Sequence, residues 1–259
     1  MTYTDDLLLA QQLADIADAI TLERFMAQDL VVEKKPDATE VTDADRATEL
    51  AIKAKLAEAR PLDGVIGEEF GSTAGNNRTW IIDPIDGTAN FMRGVTVWAT
   101  LIALAVDGKP VVSVVSAPAL GRRWWGSPGE GAKTRDLDGS VRHLNVSKIG
   151  ELADASLSYN NLKLWDTSGM LGGLLSLTRK IWRTRAYGDF WSYMLLAEGT
   201  LDIVAEHDLK IYDIAALVPI VEQAGGRFSA IDGELNESTS SVLATNGLLH
   251  EASSAEILG

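Results

Sequence analysis

Cysteine is absent from this 259-residue chain. That excludes a disulfide frame, thiol nucleophiles and any cysteine-ligated zinc site. No apolar run approaches the roughly 18 residues that a membrane helix needs. The opening stretch, MTYTDDLLLAQQ, has no basic n-region, and its LLLA is too short for a signal core, so a cytoplasmic protein is expected. No GxxxxGK[ST] occurs, which removes the phosphate loop of kinases and nucleotide hydrolases. The three histidines, His143, His207 and His250, are scattered and form no ligand pattern. Internal repeats and low-complexity tracts are missing too. Positive charge is scarce: 23 Lys+Arg against 37 Asp+Glu leave a net charge of −14. Such an excess of acid disfavours nucleic acid or an anionic membrane as partner. It still suits an anionic substrate if bound divalent cations invert the local sign.

What is present is an ordinary globular composition, 46% hydrophobic and 23% charged, in a chain long enough for one large core. The most informative stretch is Trp80 to Asn90, WIIDPIDGTAN. Its apolar, β-branched opening reads as a buried strand. The strand is expected to stop at Asp83, where Pro84 stiffens the exit. Asp86 reads as the N-cap of a short helix starting at Gly87. Two carboxylates at a strand end attract Mg²⁺ or Ca²⁺, and a helix N-terminus attracts phosphate. As bare dipeptides, Asp-Pro and Asp-Gly are equally at home in a turn.

Around this stretch the periodicity predicts an amphipathic helix over 4–28 and a strand at Val31–Val32 entering a turn at Pro36-Asp37. Thr42 or Asp43 can cap a helix over 43–60, which puts Asp45 in its first turn. A short strand precedes Gly67-Glu68-Glu69, and 72–78 reads as a loop. Strands follow at 95–106, 110–118 and 122–126, with a hairpin at Asp107-Gly108. Gly126 to Gly131 is a β-turn rather than a phosphate loop, since no lysine or helix follows it. A polar tract at 135–152 is a candidate boundary. Beyond it, strands at 155–159, 181–184 and 201–206 and near Arg227 and Val242 alternate with helices at 167–177, 190–198, 211–224 and near the C-terminus, which argues for an α/β half.

Four blocks resemble the inositol monophosphatase family of Mg²⁺-dependent, lithium-sensitive phosphatases. They are Lys34 to Asp45 (KKPDATEVTDAD), Gly67-Glu68-Glu69, Trp80 to Thr88, and Tyr212-Asp213-Ile214-Ala215-Ala216 followed by Ala224-Gly225-Gly226. The resemblance spans about residues 5 to 250. It implies a layered αβαβα sandwich of the sugar-phosphatase type, an α/β (α+β) fold. It also implies a single domain over 1–259, with a metal-and-phosphate half about 1–140 and a specificity half about 141–259, and a homodimer. The implied metal ligands are Glu69, Asp83, the backbone carbonyl of Ile85, Asp86 and Asp213. All are oxygens, which suits Mg²⁺, with Mn²⁺ possible, and disfavours zinc. Carboxylates so crowded would repel unless two or three ions neutralise them. In the resembled family the counterpart of Asp45 faces the attacking water, here together with Thr88, and the amides of Gly87 and Thr88 would hold the phosphate. Lys34 matches by spacing a family lysine near the metal waters, with Lys35 as a neighbouring candidate.

The stretch Arg185 to Tyr193 points to the substrate. Gly188-Asp189 followed by aromatics resembles the histidinol-phosphate phosphatase branch, and Glu206 falls at the spacing of a substrate-contacting glutamate. Arg185, Gly188, Asp189, Glu206 and Asp213, with Gly87 and Thr88, form the expected substrate set. A substrate with an ammonium and an imidazole wants carboxylates and π-faces. The expectation is therefore a phosphomonoesterase acting on L-histidinol phosphate in histidine biosynthesis. An inositol-1-monophosphatase or a broader sugar or nucleotide phosphatase is the alternative, and a non-catalytic metal-binding regulatory protein belongs to a different class. Asp189 can instead cap the helix after it, and Phe190, Trp191 and Tyr193 can be core. His207 is expected at the surface, with a place in the pocket beside Glu206 as the alternative, and Asn160 and Trp165 are unplaced pocket candidates.

Overall fold

Strand Val95–Val106 was expected to turn at Asp107-Gly108, and both residues have positive φ, 51° and 77°, the two-residue arrangement that matches strand twist. The computed structural model describes residues 3–35 and 39–259; the turn expected at Pro36-Asp37 lies outside them. In chain order the first half holds α1 (Thr4–Arg24), β1 (Val32–Lys34), β2 (Glu40–Thr42), α2 (Asp43–Ala59), β3 (Gly64–Gly67), β4 (Gly71–Thr73), β5 (Arg78–Asp86), α3 (Thr88–Met92), β6 (Ala99–Val106), β7 (Lys109–Ala117), β8 (Arg122–Ser127), β9 (Gly131–Arg135) and β10 (Val141–His143). The second half holds β11 (Ser156–Tyr159), α4 (Leu162–Thr167), α5 (Leu171–Thr178), β12 (Arg183–Arg185), α6 (Asp189–Ala197), β13 (Ile203–His207), α7 (Ile211–Ile214), α8 (Leu217–Gln223), β14 (Arg227–Ala230), β15 (Ser241–Thr245) and α9 (His250–Leu258).

Eight strands form one sheet in the order β10-β9-β8-β7-β6-β5-β3-β4, and five form another in the order β12-β11-β13-β15-β14. Alternate side chains leave opposite faces of a strand, so the large sheet feeds two cores. Trp80, Ile82, Ile102 and Leu104 pack on α1 and α2. Ile81, Leu101 and Ala103 pack on α6 and α8, which also meet Val204, Val242 and Ala244 of the small sheet. Leu157, Ile203 and Leu243 on the far side of the small sheet meet α4, α5 and α9. The stacking is helix, sheet, helix, sheet, helix, the five-layer αβαβα arrangement that the family resemblance implies.

The largest departure from expectation lies at the centre. β5 does not stop before Pro84 but runs on to Asp86. Its pairing with β6 jumps from Asp83↔Leu101 to Asp86↔Ala99, so three steps on β5 match two on β6. That extra residue is a β-bulge, a place where a proline without an N–H is tolerated. Pro84 O accepts from Thr100 Oγ1 at 2.8 Å. The N-cap of α3 is Gly87, not Asp86, at φ 84°. A Cβ there would lie 3.1 Å from Val97 O and 3.3 Å from Asp189 Oδ2, so only glycine suits this turn.

Smaller departures have local causes. The helix expected over 211–224 splits into α7 and α8, because Pro219 lacks the N–H that would continue the ladder. The loop expected at 72–78 begins with β4, paired to β3. β2 and α4 were not foreseen. β10 within the polar 135–152 tract pairs with β9, so the large sheet extends past the expected boundary. Among the described residues, no helix is long and apolar enough to cross a membrane.

Candidate active site

Residues three apart on a regular strand face opposite sides. The bulge in β5 removes that conflict for Asp83 and Asp86. Their carboxylates join that of Asp213, from α7, with one oxygen of each lying within 4.8 Å of the others. Each carboxylate is also anchored by a backbone amide. Asp83 Oδ1 accepts from Ile85 N at 2.9 Å, Asp86 Oδ2 from Phe190 N at 2.7 Å, and Asp213 Oδ2 from Lys210 N at 2.7 Å. Among the described residues the second oxygen of each accepts no hydrogen bond. Three oriented carboxylate oxygens with anchored partners are what a hard cation requires.

The electrostatics agree. Burial, reinforced by neighbouring carboxylates, holds Asp83 and Asp86 well above the usual carboxyl range and pushes Asp213 up to about 7. Charges that repel one another when bare are stabilised by a cation. The residues therefore fit a divalent ion.

The glutamate pair stands apart from this cluster: neither Glu68 nor Glu69 is part of it. After burial, the carboxylate that weighs most on Asp83 is Glu68, and Glu68 is also the carboxylate that weighs most on Asp213. Glu69 is pushed up to about 7, mainly by burial. Lys35 Nζ bridges the two, 2.8 Å from Glu68 and 2.6 Å from Glu69. Lys35, not Lys34, is thus the lysine beside the acids; Lys34 is exposed on β1.

Asp45 combines two roles. Its Oδ2 accepts from Thr42 N at 2.7 Å and Thr42 Oγ1 at 2.6 Å, closing a capping box. Its Oδ1 faces Thr88 Oγ1 at 3.3 Å, and the same hydroxyl lies 2.9 Å from Ile85 O. Burial pushes the Asp45 carboxyl up to about 6.

Beside the carboxylates opens a cavity of about 610 Å³, lined by Asp86, Asp213, Gly188, Asp189, Glu206 and His207 among others. Asp189 does not cap α6; the N-cap is Gly188, without a side-chain bond. Asp189 takes a left-handed φ of 50°, a strained conformation for a side-chain-bearing residue, and Asn90 Nδ2 donates to its Oδ2 at 3.1 Å. Glu206 is buried, accepts from Tyr193 at 3.0 Å through Oε2, and is pushed up to about 8 by burial. Its Oε1 is buried with no partner. His207 is not at the surface: it is 6% exposed and packs edge-on against Trp165 at 4.3 Å. Asn160 lines the cavity, its Nδ2 donating to His207 O at 2.6 Å, while Trp165 is fully buried outside the lining. Arg185 is not brought to the site. Its Nη1 donates to Thr184 O, and it lines a separate cleft with Trp182 and Thr200.

Glu68, Asn90 and Tyr193 contact candidate site residues or their lysine but were not singled out as site residues in the sequence. The Glu68-Glu69 ambiguity was visible as an adjacent pair; Asn90 carried no signal beyond its nearness to the turn.

A profile of the inositol monophosphatase family matches residues 4–258. The chain is 52% identical to a histidinol-phosphatase of Streptomyces coelicolor, covering 99% of this chain and 97% of that protein. It is 54% identical to a histidinol-phosphatase of Mycobacterium tuberculosis, covering 95% of each. Among solved structures, an inositol monophosphatase from Zymomonas mobilis superposes with a TM-score of 0.87 at 35% identity over the whole of both chains. With a family match across nearly its full length, this chain belongs to the inositol monophosphatase family.

Proposed function

We propose that this protein is a phosphoric monoester hydrolase that converts L-histidinol phosphate to L-histidinol and phosphate, a step of histidine biosynthesis, using Mg²⁺, or Mn²⁺ in its place, at two or three ions per site. The observation that carries the substrate is the wall of the cavity beyond the metal cluster. Asp189 and the unpartnered Oε1 of Glu206 place two further acids where the leaving group would sit. A buried carboxylate oxygen without a partner is costly. A leaving group bearing an ammonium relieves that cost better than a neutral polyol does.

Asp83, Asp86, Asp213 and the Ile85 carbonyl would hold the ions, with Glu68 as the fourth carboxylate and Glu69 beside it on Lys35. Bound divalent ions supply phosphate neutralisation and a water of lowered pKa. The protein does the rest. The Thr88 hydroxyl proton is shared between Ile85 O and Asp45 Oδ1, which leaves its lone pairs to orient the attacking water. Asp45 accepts the second hydrogen bond of that water. The amides of Gly87 and Thr88 hold the phosphate oxygens. Asp189 and Glu206 neutralise the departing histidinol. The first half, about 1–140, carries the chemistry, and the second, about 141–259, carries selectivity and Asp213. The working assembly is a homodimer in the cytoplasm.

The test is phosphate release from L-histidinol phosphate and inositol 1-phosphate, with Mg²⁺ and with chelator. A kcat/KM preference for histidinol phosphate of at least about a hundredfold, roughly 2.7 kcal/mol, is expected, with no turnover in chelator. Preference for the inositol ester would overturn the substrate assignment, and turnover indifferent to chelator would overturn the metal reading.

A further inference from the structure

α2 carries a second wholly buried acid one helical turn beyond Asp45. Glu49 has 0% exposure, and residues four apart lie on one helix face. Its Oε2 accepts from Glu69 N at 2.7 Å and its Oε1 from Phe70 N at 3.1 Å. These amides belong to the tight connection between β3 and β4 that carries Glu68 and Glu69. The approach leaves no spare room: a Cβ on Gly67 would fall 2.0 Å from Glu49 Oε1. Lys53, a further turn along α2, lies 3.6 Å from the carboxylate and 5.8 Å above the Phe70 ring, closing the solvent side.

A carboxylate is buried without water only when its lone pairs and charge are met. Here they are met by two consecutive backbone amides of the glutamate loop and by one lysine. The same helix therefore fixes Asp45 against Thr88 and, four residues on, fixes the loop that delivers Glu68 towards Asp83.

We infer that Glu49 is a positioning residue for metal binding: by gripping the amides of Glu69 and Phe70 it sets where the Glu68 carboxylate stands relative to Asp83 and Asp213. It touches neither ion nor substrate. Partners that orient ligands in this way govern metal affinity. The inference rests on the metal-dependent reading above, and its test separates the two.

The test is Mn²⁺ titration by calorimetry, without substrate, of the wild type, Glu49→Gln and Gly67→Ala. Gln keeps the size of Glu49 but offers one acceptor in place of two; the Gly67→Ala methyl pushes the carboxylate aside from the opposite direction. Both variants are expected to bind Mn²⁺ about 10- to 100-fold more weakly, with kcat restored at saturating Mn²⁺ and KM for the phosphate ester unmoved. A merely structural Glu49 would lower the melting temperature in chelator and leave the Mn²⁺ Kd alone. An unchanged Kd in either folded variant overturns the inference, as does loss of folding in both, which would make Glu49 a folding residue. A wild type that binds no Mn²⁺ overturns the metal reading itself.

Discussion

The two halves of the molecule hold their site residues in different ways. Beside the large sheet the anchors are local: Asp83 is fixed by the amide two residues ahead, and Asp45 by Thr42 three residues behind. Towards the small sheet the anchors come from other elements, two of them from across the halves. Phe190 N holds Asp86, Asn90 holds Asp189, Tyr193 holds Glu206, and Asn160 and His207 hold each other. Thus the reactive turn is nearly complete within its own stretch of chain. The proposed selectivity wall instead depends on how the halves dock, through α6, whose second residue, Phe190, donates its amide to Asp86. The same helix is tied at its far end, where Glu198 accepts from Trp124 Nε1 at 2.6 Å and pairs with Arg122 at 2.8 Å and Arg142 at 3.0 Å.

The contrast breaks first at Asp83. Asp83→Asn is expected to cost at least about a thousandfold in phosphate release, roughly 4 kcal/mol. Its chelator melting temperature should equal or exceed that of the wild type, since a repelling buried charge is removed. A loss of fold there would show that the turn is not locally self-sufficient. On the other side, Asp189→Asn and Glu206→Gln are expected to lower kcat/KM for histidinol phosphate by roughly 30- to 100-fold, the 2–3 kcal/mol of a charged hydrogen bond. Turnover of an uncharged aryl phosphate should hold. Parallel loss on both substrates would mean that chemistry and selectivity are not separable.

A pH series sharpens the comparison further. Asp213 at about 7 and Glu206 at about 8 sit above their ordinary values because burial disfavours the charged forms. For an acid raised on folding, the stabilisation is complete below the unfolded pKa and is lost as pH rises through the folded one. In chelator, the melting temperature should therefore fall by several degrees between pH 5 and pH 8, and Mg²⁺ should restore it at pH 8, as scanning calorimetry would show. A rise over that interval would contradict the electrostatic picture. The smallest effect belongs to Arg185→Ala, which should leave kcat/KM of the single chain's site within about twofold, because the side chain turns away from the cavity.

The same contrast explains what could be read from the sequence. Many strands and helices follow from their periods, which are local properties, while the five layers were implied by the family resemblance. The DPIDGT acids announced themselves because both lie within one short stretch, although the anchor of Asp86, Phe190 N, comes from the other half. Period and spacing cannot rank the two adjacent glutamates, Glu68 and Glu69. Their surroundings come from distant segments: Lys35 bridges both carboxylates, and Glu49 grips the amides of Glu69 and Phe70. Arg185 was expected in the site by its place in a motif, yet it lies on β12, the edge strand of the small sheet, where neighbouring residues alternate between faces and one-residue precision is lost. Pro84 was read as a stop because a proline breaks regular ladders; that it sits in a bulge depends on β6, which no local pattern reveals.

The bulge also ties the metal to folding. In the unfolded chain Asp83 and Asp86 have no fixed mutual orientation, and Asp213 is far along the backbone; the three meet only after β5 has found its register on β6 and α7 has docked. A cation therefore has little to hold before the native state exists, and it adds stability only to that state, as the logarithm of its concentration over its Kd. Cells that run short of the ion would then lose not only turnover but part of the reserve that keeps this enzyme folded.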